Sequence, residues 1–233
     1  MRLLVFSDIH GNQYAFREFL KDIGGVNYDA AIFCGDIFGY YYGQTEIYEG
    51  LAQLKNLTAI RGNHDEYALA LYRGKIDAEN LFIKYGHSYG RMDENVLKYI
   101  DTLPKSAVIE IDGRRFGVLH GTPLEIMEDR LYPKDEPTEK QRLAIKECGC
   151  DVIFCGHTHF RSDRVVEGVR LINPGSLGQQ RDGYGFSYGI YDTDTDEFEY
   201  HTINFNIKDL EEEIDIFDSG LSKLKDILHR GEK

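Results

Sequence analysis

The chain has 233 residues, of which 42% are hydrophobic and 29% charged, with a formal net charge of −13. Those values fit one soluble globular domain over 1–233 with a sizeable core, and they argue against binding nucleic-acid backbone or an anionic membrane, which needs a basic face. No apolar run is long enough to span a bilayer, and residues 2–6 enter a strand with no basic-then-apolar leader, so a cytoplasmic location is expected.

Taken in order, residues 2–6 read as a buried strand. A helix over 13–23 follows, with Phe16, Phe19, Leu20 and Ile23 on one face and Gly24-Gly25 as a stop. Strand 30–34, a helix over 45–54 and strand 57–60 complete a βαβαβ pattern, which predicts an α/β fold with parallel strand pairs under helices. Residues 66–103, rich in Tyr and Leu, read as a small helical insertion over the site edge, with Asp93 capping a helix over 94–99. Strands return at 106–111 and 115–119. A charged, proline-bearing loop covers 123–137, a helix covers 138–146, and strand 151–155 follows. Two hairpins come next, 163–167 with 169–172 and 187–191 with 197–203. The turn Asp192-Thr193-Asp194-Thr195-Asp196 lacks the Gly and final Glu of a calcium loop and reads as solvated.

The last segment, 207–230, reads as a single helix. Ile207, Leu210, Ile214, Phe217, Leu221, Leu224 and Leu228 fall at alternating steps of three and four, a heptad seam. Packing on the chain's own sheet is the preferred reading, and a homodimer contact is the alternative. Of the four cysteines, Cys34 and Cys155 sit in strands and read as small buried hydrophobes, while Cys148-Gly149-Cys150 lacks the spacing of a metal or redox pair.

The chemistry lies where strands end. Asp8-Ile9-His10, Gly35-Asp36, Gly62-Asn63-His64-Asp65, His120 and Gly156-His157-Thr158-His159 each follow a short apolar run. Strand ends of layered α/β sheets are where sites form. Carboxylate, imidazole and amide oxygen are donors for hard and borderline divalent ions. Asp8, His10, Asp36, Asn63, His120, His157 and His159 together suffice for two ions roughly 3.5–4 Å apart, a pair that activates water and clamps phosphate oxygens. His64 follows a ligand directly, and its natural role is to protonate the leaving oxygen or hold a phosphate oxygen, with Asp65 orienting it. Arg61, Arg161 and Arg181 are candidate phosphate ligands. Tyr40-Tyr41-Tyr42 offers rings for stacking a base or for packing a lid, and His87, His201 and His229 have no such context.

This set of motifs resembles the calcineurin-like metallophosphoesterase superfamily over roughly residues 1–191. The resemblance implies a four-layer α/β/β/α sandwich with a dinuclear centre: Asp8, His10, Asp36 and His159 on one ion, and Asp36, Asn63, His120 and His157 on the other. Asn173-Pro174-Gly175-Ser176 and the segment 178–183 resemble the small prokaryotic phosphodiesterase branch, nearest to proteins linked with dinucleoside polyphosphate hydrolysis. Two features depart from the wider pattern. Gly35-Asp36 continues as Ile37-Phe38-Gly39-Tyr40 and so lacks the arginine of the protein phosphatases, and Arg161 stands where many relatives carry proline.

The expectation is therefore a metal-dependent phosphoesterase that uses two divalent ions (Mn2+, Fe2+/Fe3+ or Zn2+). Its substrate would be a phosphodiester or phosphoanhydride of a small nucleotide such as diadenosine tetraphosphate. The alternatives are a broad phosphodiesterase or phosphomonoesterase and, from a different class, a non-catalytic binding scaffold like the retromer subunit that resembles this family. Intact ligands and an intact acid histidine argue against the scaffold.

Overall fold

Strand β1 (Arg2–Phe6) is apolar at every position after the first, because both of its faces are covered. The computed structural model describes residues 1–230. In chain order β1 is followed by α1 (Gln13–Ile23), β2 (Ala30–Phe33), α2 (Gln44–Leu51) and β3 (Leu57–Ala59). Three helices come next, α3 (Asn63–Tyr72), α4 (Ala78–Tyr85) and α5 (Glu94–Thr102), with a 3-10 turn at His87–Gly90. The second half runs β4 (Ser106–Ile111), β5 (Arg114–Leu119), α6 (Glu139–Glu147), β6 (Val152–Phe154), β7 (Arg161–Val166), β8 (Val169–Pro174), β9 (Phe186–Asp192), β10 (Glu197–Ile203), α7 (Ile207–Asp218) and α8 (Lys223–Leu228).

These elements build two mixed five-stranded sheets, ordered β10-β9-β1-β2-β3 and β4-β5-β6-β8-β7. Alternation along β1 fixes how the layers stack. Leu3 and Val5 point inward and meet Phe116, Val118, Phe154 and Ile172 of the second sheet. Leu4 and Phe6 point outward under Phe16, Phe19, Ile47 and Leu210 of the helices. On the far side, Ile145 of α6 packs with Ile153 and Leu171. The result is the α/β/β/α sandwich. β1 pairs with β2, β2 with β3, β5 with β6 and β6 with β8 in parallel, so the C-terminal ends of β1, β2 and β3 gather in one sheet and those of β5 and β6 in the other.

Two boundaries differ from the sequence reading. The helical stretch begins at Asn63 rather than Glu66, so the first turn of α3 carries Asn63, His64 and Asp65. The expected helix over 207–230 is broken at 219–222 into α7 and α8. Ser219, Gly220 and Ser222 are poor helix formers. The buried Asp218 carboxylate also anchors the end of α7, accepting from Tyr42 Oη at 2.6 Å, His87 Nδ1 at 2.6 Å and the His87 backbone N–H at 2.9 Å. The seam is covered within this chain, where Leu210, Ile214, Leu224 and Leu228 are buried in the main core.

Candidate metal centre

Hydrogen bonding between β1 and β2 continues past the strand ends. Asp8 N–H donates to Gly35 O, and Ile9 and His10 N–H both donate to Asp36 O, each at 3.0 Å. Asp8, His10, Asp36, His157 and His159 all have positive φ, between 52° and 69°. Such backbone is costly for non-glycine residues and persists only where its surroundings over-determine it. Close approach explains two glycines of the motifs. A Cβ on Gly62 would lie 2.1 Å from Asp36 Oδ1, and one on Gly156 would lie 2.0 Å from Ser7 Oγ.

The segment after β8 braces the Asp8 loop from behind. Leu177 N–H donates to Ser7 O, Gly178 N–H to Asp8 O, and Ser176 Oγ to Asp8 O at 2.7 Å. Asn173 Nδ2 donates to Gly156 O at 2.6 Å and so fixes the turn that carries His157 and His159.

Three histidines are held the same way. His10 Nδ1 faces Phe38 O at 2.9 Å, His120 Nδ1 faces Cys34 O at 2.8 Å, and His159 Nδ1 faces Gln179 O at 2.6 Å. A carbonyl can only accept, so each Nδ1 carries a hydrogen and each Nε2 points toward the centre, where it offers a lone pair to a metal ion once free of a proton, the orientation common among metal-bound histidines. There Nε2 of His10 lies 3.0 Å from Nε2 of His159, 3.6 Å from Asp8 Oδ1 and 3.7 Å from Asp36 Oδ2. Nε2 of His120 lies 3.2 Å from Asp36 Oδ2 and 3.0 Å from Asn63 Oδ1. With no proton on the Nε2 atoms these are acceptors facing acceptors in a buried place, an arrangement that needs positive charge between them, from a proton or a metal ion. Ligand atoms of Asp8, His10 and His159 lie within 4.8 Å of one another, as do those of Asp8, Asp36 and His120, so the residues present fit a metal ion.

The electrostatics agree. Burial pushes the carboxyl of Asp8 upward, but His159, His10 and His120 outweigh it and hold the group well below the usual range. Asp36 is lowered in the same way against burial, chiefly by His120 and His64. Burial disfavours a proton on His120, yet Asp36 and Asp8 raise it to about 10. Burial lowers His159 to about 3, helped by the Arg181 charge, and lowers His157 to about 4, helped by His120. The two carboxylates thus draw a positive charge onto His120, the place a bound cation would take, while His157 and His159 stay neutral.

The calcineurin-like phosphoesterase superfamily domain matches residues 1–196. The chain belongs to this superfamily. An uncharacterized protein of Methanocaldococcus jannaschii is 32% identical over 91% of each chain. A phosphodiesterase of the same organism is 25% identical over 85% of this chain and 96% of its own. A crystal structure of a metallophosphoesterase from Sphaerobacter thermophilus superposes with a TM-score of 0.77 at 26% identity, covering 99% and 100% of the two chains. In such a phosphoesterase the acidic and imidazole cluster is where divalent metal belongs.

Six of the seven residues expected as ligands converge. The seventh, His157, lies beside them, with its ring 5.0 Å from that of His120, and its Nε2 lies 2.9 Å from Arg130 Nε and 3.1 Å from Glu128 O. Of the three expected arginines, only Arg181 is at the centre. Its guanidinium bridges Gln179 Oε1 at 2.6 Å and Tyr40 Oη at 3.2 Å. Arg61 instead pairs with Glu66 Oε1 at 2.6 Å and donates to the carbonyls of Asp101 and Leu103 at the end of α5, which makes it a structural cap. Arg161 is turned into a wall, donating to Tyr184 O at 2.9 Å and Thr202 Oγ1 at 3.1 Å.

Asp65 does not orient the His64 ring. It accepts backbone N–H from Asp36, Phe38 and Gly62 at 2.9–3.0 Å, tying the β2 loop to α3. The His64 ring is instead held by Tyr89, whose hydroxyl lies 2.6 Å from Nδ1. Burial lowers His64 well below its ordinary value and keeps it neutral. A Tyr89 hydroxyl donating to Nδ1 leaves the imidazole hydrogen on Nε2.

Tyr40-Tyr41-Tyr42 is packing rather than an open platform. Tyr41 is buried, Tyr42 stacks edge-on against Phe217, and Tyr40 lies against His10 and Tyr85. His87, His201 and His229 lie elsewhere, beside Asp218, Tyr188 and Glu211. Sequence reasoning missed Arg130 and Tyr89, neither of which sits in a motif. The one weak signal was the density of charge in 123–137 and of tyrosine in 66–103.

Proposed function

We propose that the protein is a dinuclear metal-dependent phosphoesterase that hydrolyses a phosphodiester or phosphoanhydride of a small nucleotide. The reading is carried by the facing acceptors of Asp8, His10, Asp36, Asn63, His120 and His159, flanked by Arg130 on the His157 side and Arg181 on the His159 side. Mixed oxygen and nitrogen donors suit Mn2+, Fe2+/Fe3+ or Zn2+. Two such ions, when bound, supply charge that polarises the phosphoryl group and acidifies water.

The chain's own residues do the rest. Asp8, Asp36 and Asn63 contribute oxygens, and the three Nδ1-anchored histidines contribute Nε2. Arg130 and Arg181 hold phosphate oxygens from opposite sides, with geometry suited to paired N–H donation. Neutral His64, with its hydrogen on Nε2, donates to the departing oxygen, and Tyr89 keeps the ring in that tautomer. Ile9, Phe38 and Tyr40 exclude water from the rear of the centre. The chain's likeness to a phosphodiesterase of Methanocaldococcus jannaschii supports diesters as the substrate class.

The test is to incubate the manganese-loaded protein with diadenosine tetraphosphate and with bis(p-nitrophenyl) phosphate. Release of two ADP supports a dinucleoside polyphosphate hydrolase. Hydrolysis of the nitrophenyl diester alone keeps the phosphodiesterase and discards that nucleotide. Turnover of neither substrate with manganese, iron or zinc overturns the reading.

A further inference from the structure

A cavity of about 360 Å³ is bounded by Tyr132, Lys134, Phe160, Arg161, Asp182 and Tyr184, residues that adjoin Arg130, His159 and Arg181 along the chain. That volume falls within the range of small-molecule sites. Each of its three walls leaves the centre along the chain. Tyr132 and Lys134 follow Arg130, Phe160 and Arg161 follow His159, and Asp182 and Tyr184 follow Arg181. Consecutive Cα atoms are about 3.8 Å apart, so Phe160 and Asp182 each stand one peptide from a residue of the centre.

The cavity is aromatic and cationic. The rings of Tyr132 and Phe160 meet edge to face at 5.4 Å. The Arg161 guanidinium lies over Tyr184 at 5.5 Å and over Tyr200 at 5.4 Å. Tyr184 is 69% exposed, so its ring still has open surface, whereas Tyr40, Tyr85 and Tyr89 around His64 are buried. Arg161 Nε is buried and has no hydrogen-bond partner. Asp182 is fixed as a carboxylate wall by the N–H groups of Arg161 at 2.8 Å and Tyr184 at 3.0 Å. That carboxylate disfavours a second anion here and leaves a flat neutral ring as the better occupant.

We propose that this cavity is a nucleobase site, filled by the base of a nucleotide whose phosphate sits at the metal centre. The proposal rests on the phosphoesterase reading above and adds what that reading leaves open, the group carried on the phosphate. Aromatic faces and arginine planes stack bases with little preference among them, so selection is for a ring over no ring. Arg161 acts here as a stacking wall, which is why it is turned from the phosphate.

Isothermal titration calorimetry on the manganese-loaded protein tests it, with AMP, ribose 5-phosphate and inorganic phosphate as probes. AMP is expected to bind about tenfold or more tighter than ribose 5-phosphate, the scale of one base stacked on an aromatic ring. Y184A and Y132A should bring that ratio toward one while the phosphate affinity and the melting temperature stay at wild-type values. Equal affinities for AMP and ribose 5-phosphate in the wild type, or a ratio that survives both substitutions, overturns the base site and leaves the phosphoesterase standing. Failure of all three probes to bind overturns the base site, while the phosphoesterase reading stands or falls on turnover of the nitrophenyl diester by the same sample.

Discussion

The ring of ligands and the ring of residues around it are built by opposite means. Asp8, Asp36, His120 and His159 sit at or just past strand ends, and their side chains or backbones are tied to neighbouring main chain. Arg130, Tyr89 and Tyr184 come from a loop, a 3-10 turn and the connection between β8 and β9, and the contacts by which they bear on the site are side chain to side chain or cation over ring. The first ring therefore has little freedom to vary within this fold, while the second can change without disturbing a sheet. In the proposed reading the first ring holds the metal, while the second grips phosphate, orients His64 and selects the group carried on the phosphate.

Substitutions can break that contrast. The largest loss is expected for D36A, which removes an oxygen shared by the His10 and His120 contacts. Turnover of bis(p-nitrophenyl) phosphate should fall about a thousandfold or more, with a near-wild-type circular dichroism spectrum. Retained turnover would remove Asp36 from the centre. R130A should follow, with a loss of about a hundredfold if it grips phosphate. A loss smaller than threefold would make it only a brace for His157.

Y89F sharpens the comparison further. It is expected to lower kcat about tenfold on diesters with poor alkyl leaving groups and much less on p-nitrophenyl esters, because a good leaving group needs no proton. An equal loss on both would mean that Tyr89 acts only through packing. R61A is the smallest case for activity. It should leave kcat within about twofold and lower stability by about 1–2 kcal/mol through the carbonyls it leaves unpaired, read by urea denaturation.

How much of this was legible follows the same division. Strand ends were readable because β-branched and aromatic runs give way to Asp, Asn or His, and the ligands follow the last strand residue by one to five positions. Asp93 was readable as a cap because its side chain accepts from the N–H only two residues away. The His64–Tyr89 and Arg130–His157 contacts span 25 and 27 residues and have no local signature. Asp65 was misassigned because adjacency to His64 suggested a partner, while at the third position of α3 its carboxylate turns back to main-chain N–H groups. The break between α7 and α8 was hidden by an apolar seam that runs straight through it, since periodicity records which side chains are buried and not whether the axis is continuous.

The centre's residues are scattered from position 8 to position 159, on loops that only the finished sandwich brings together. An unfolded chain therefore offers an ion no comparable site, and ion binding is linked to the folding of the whole molecule. Above saturation, each tenfold rise in free ion adds about 1.4 kcal/mol to the folded state for each ion bound. Chelators will therefore act on this protein as mild denaturants, and its apparent melting temperature will report the ion supply of the buffer as much as the sequence.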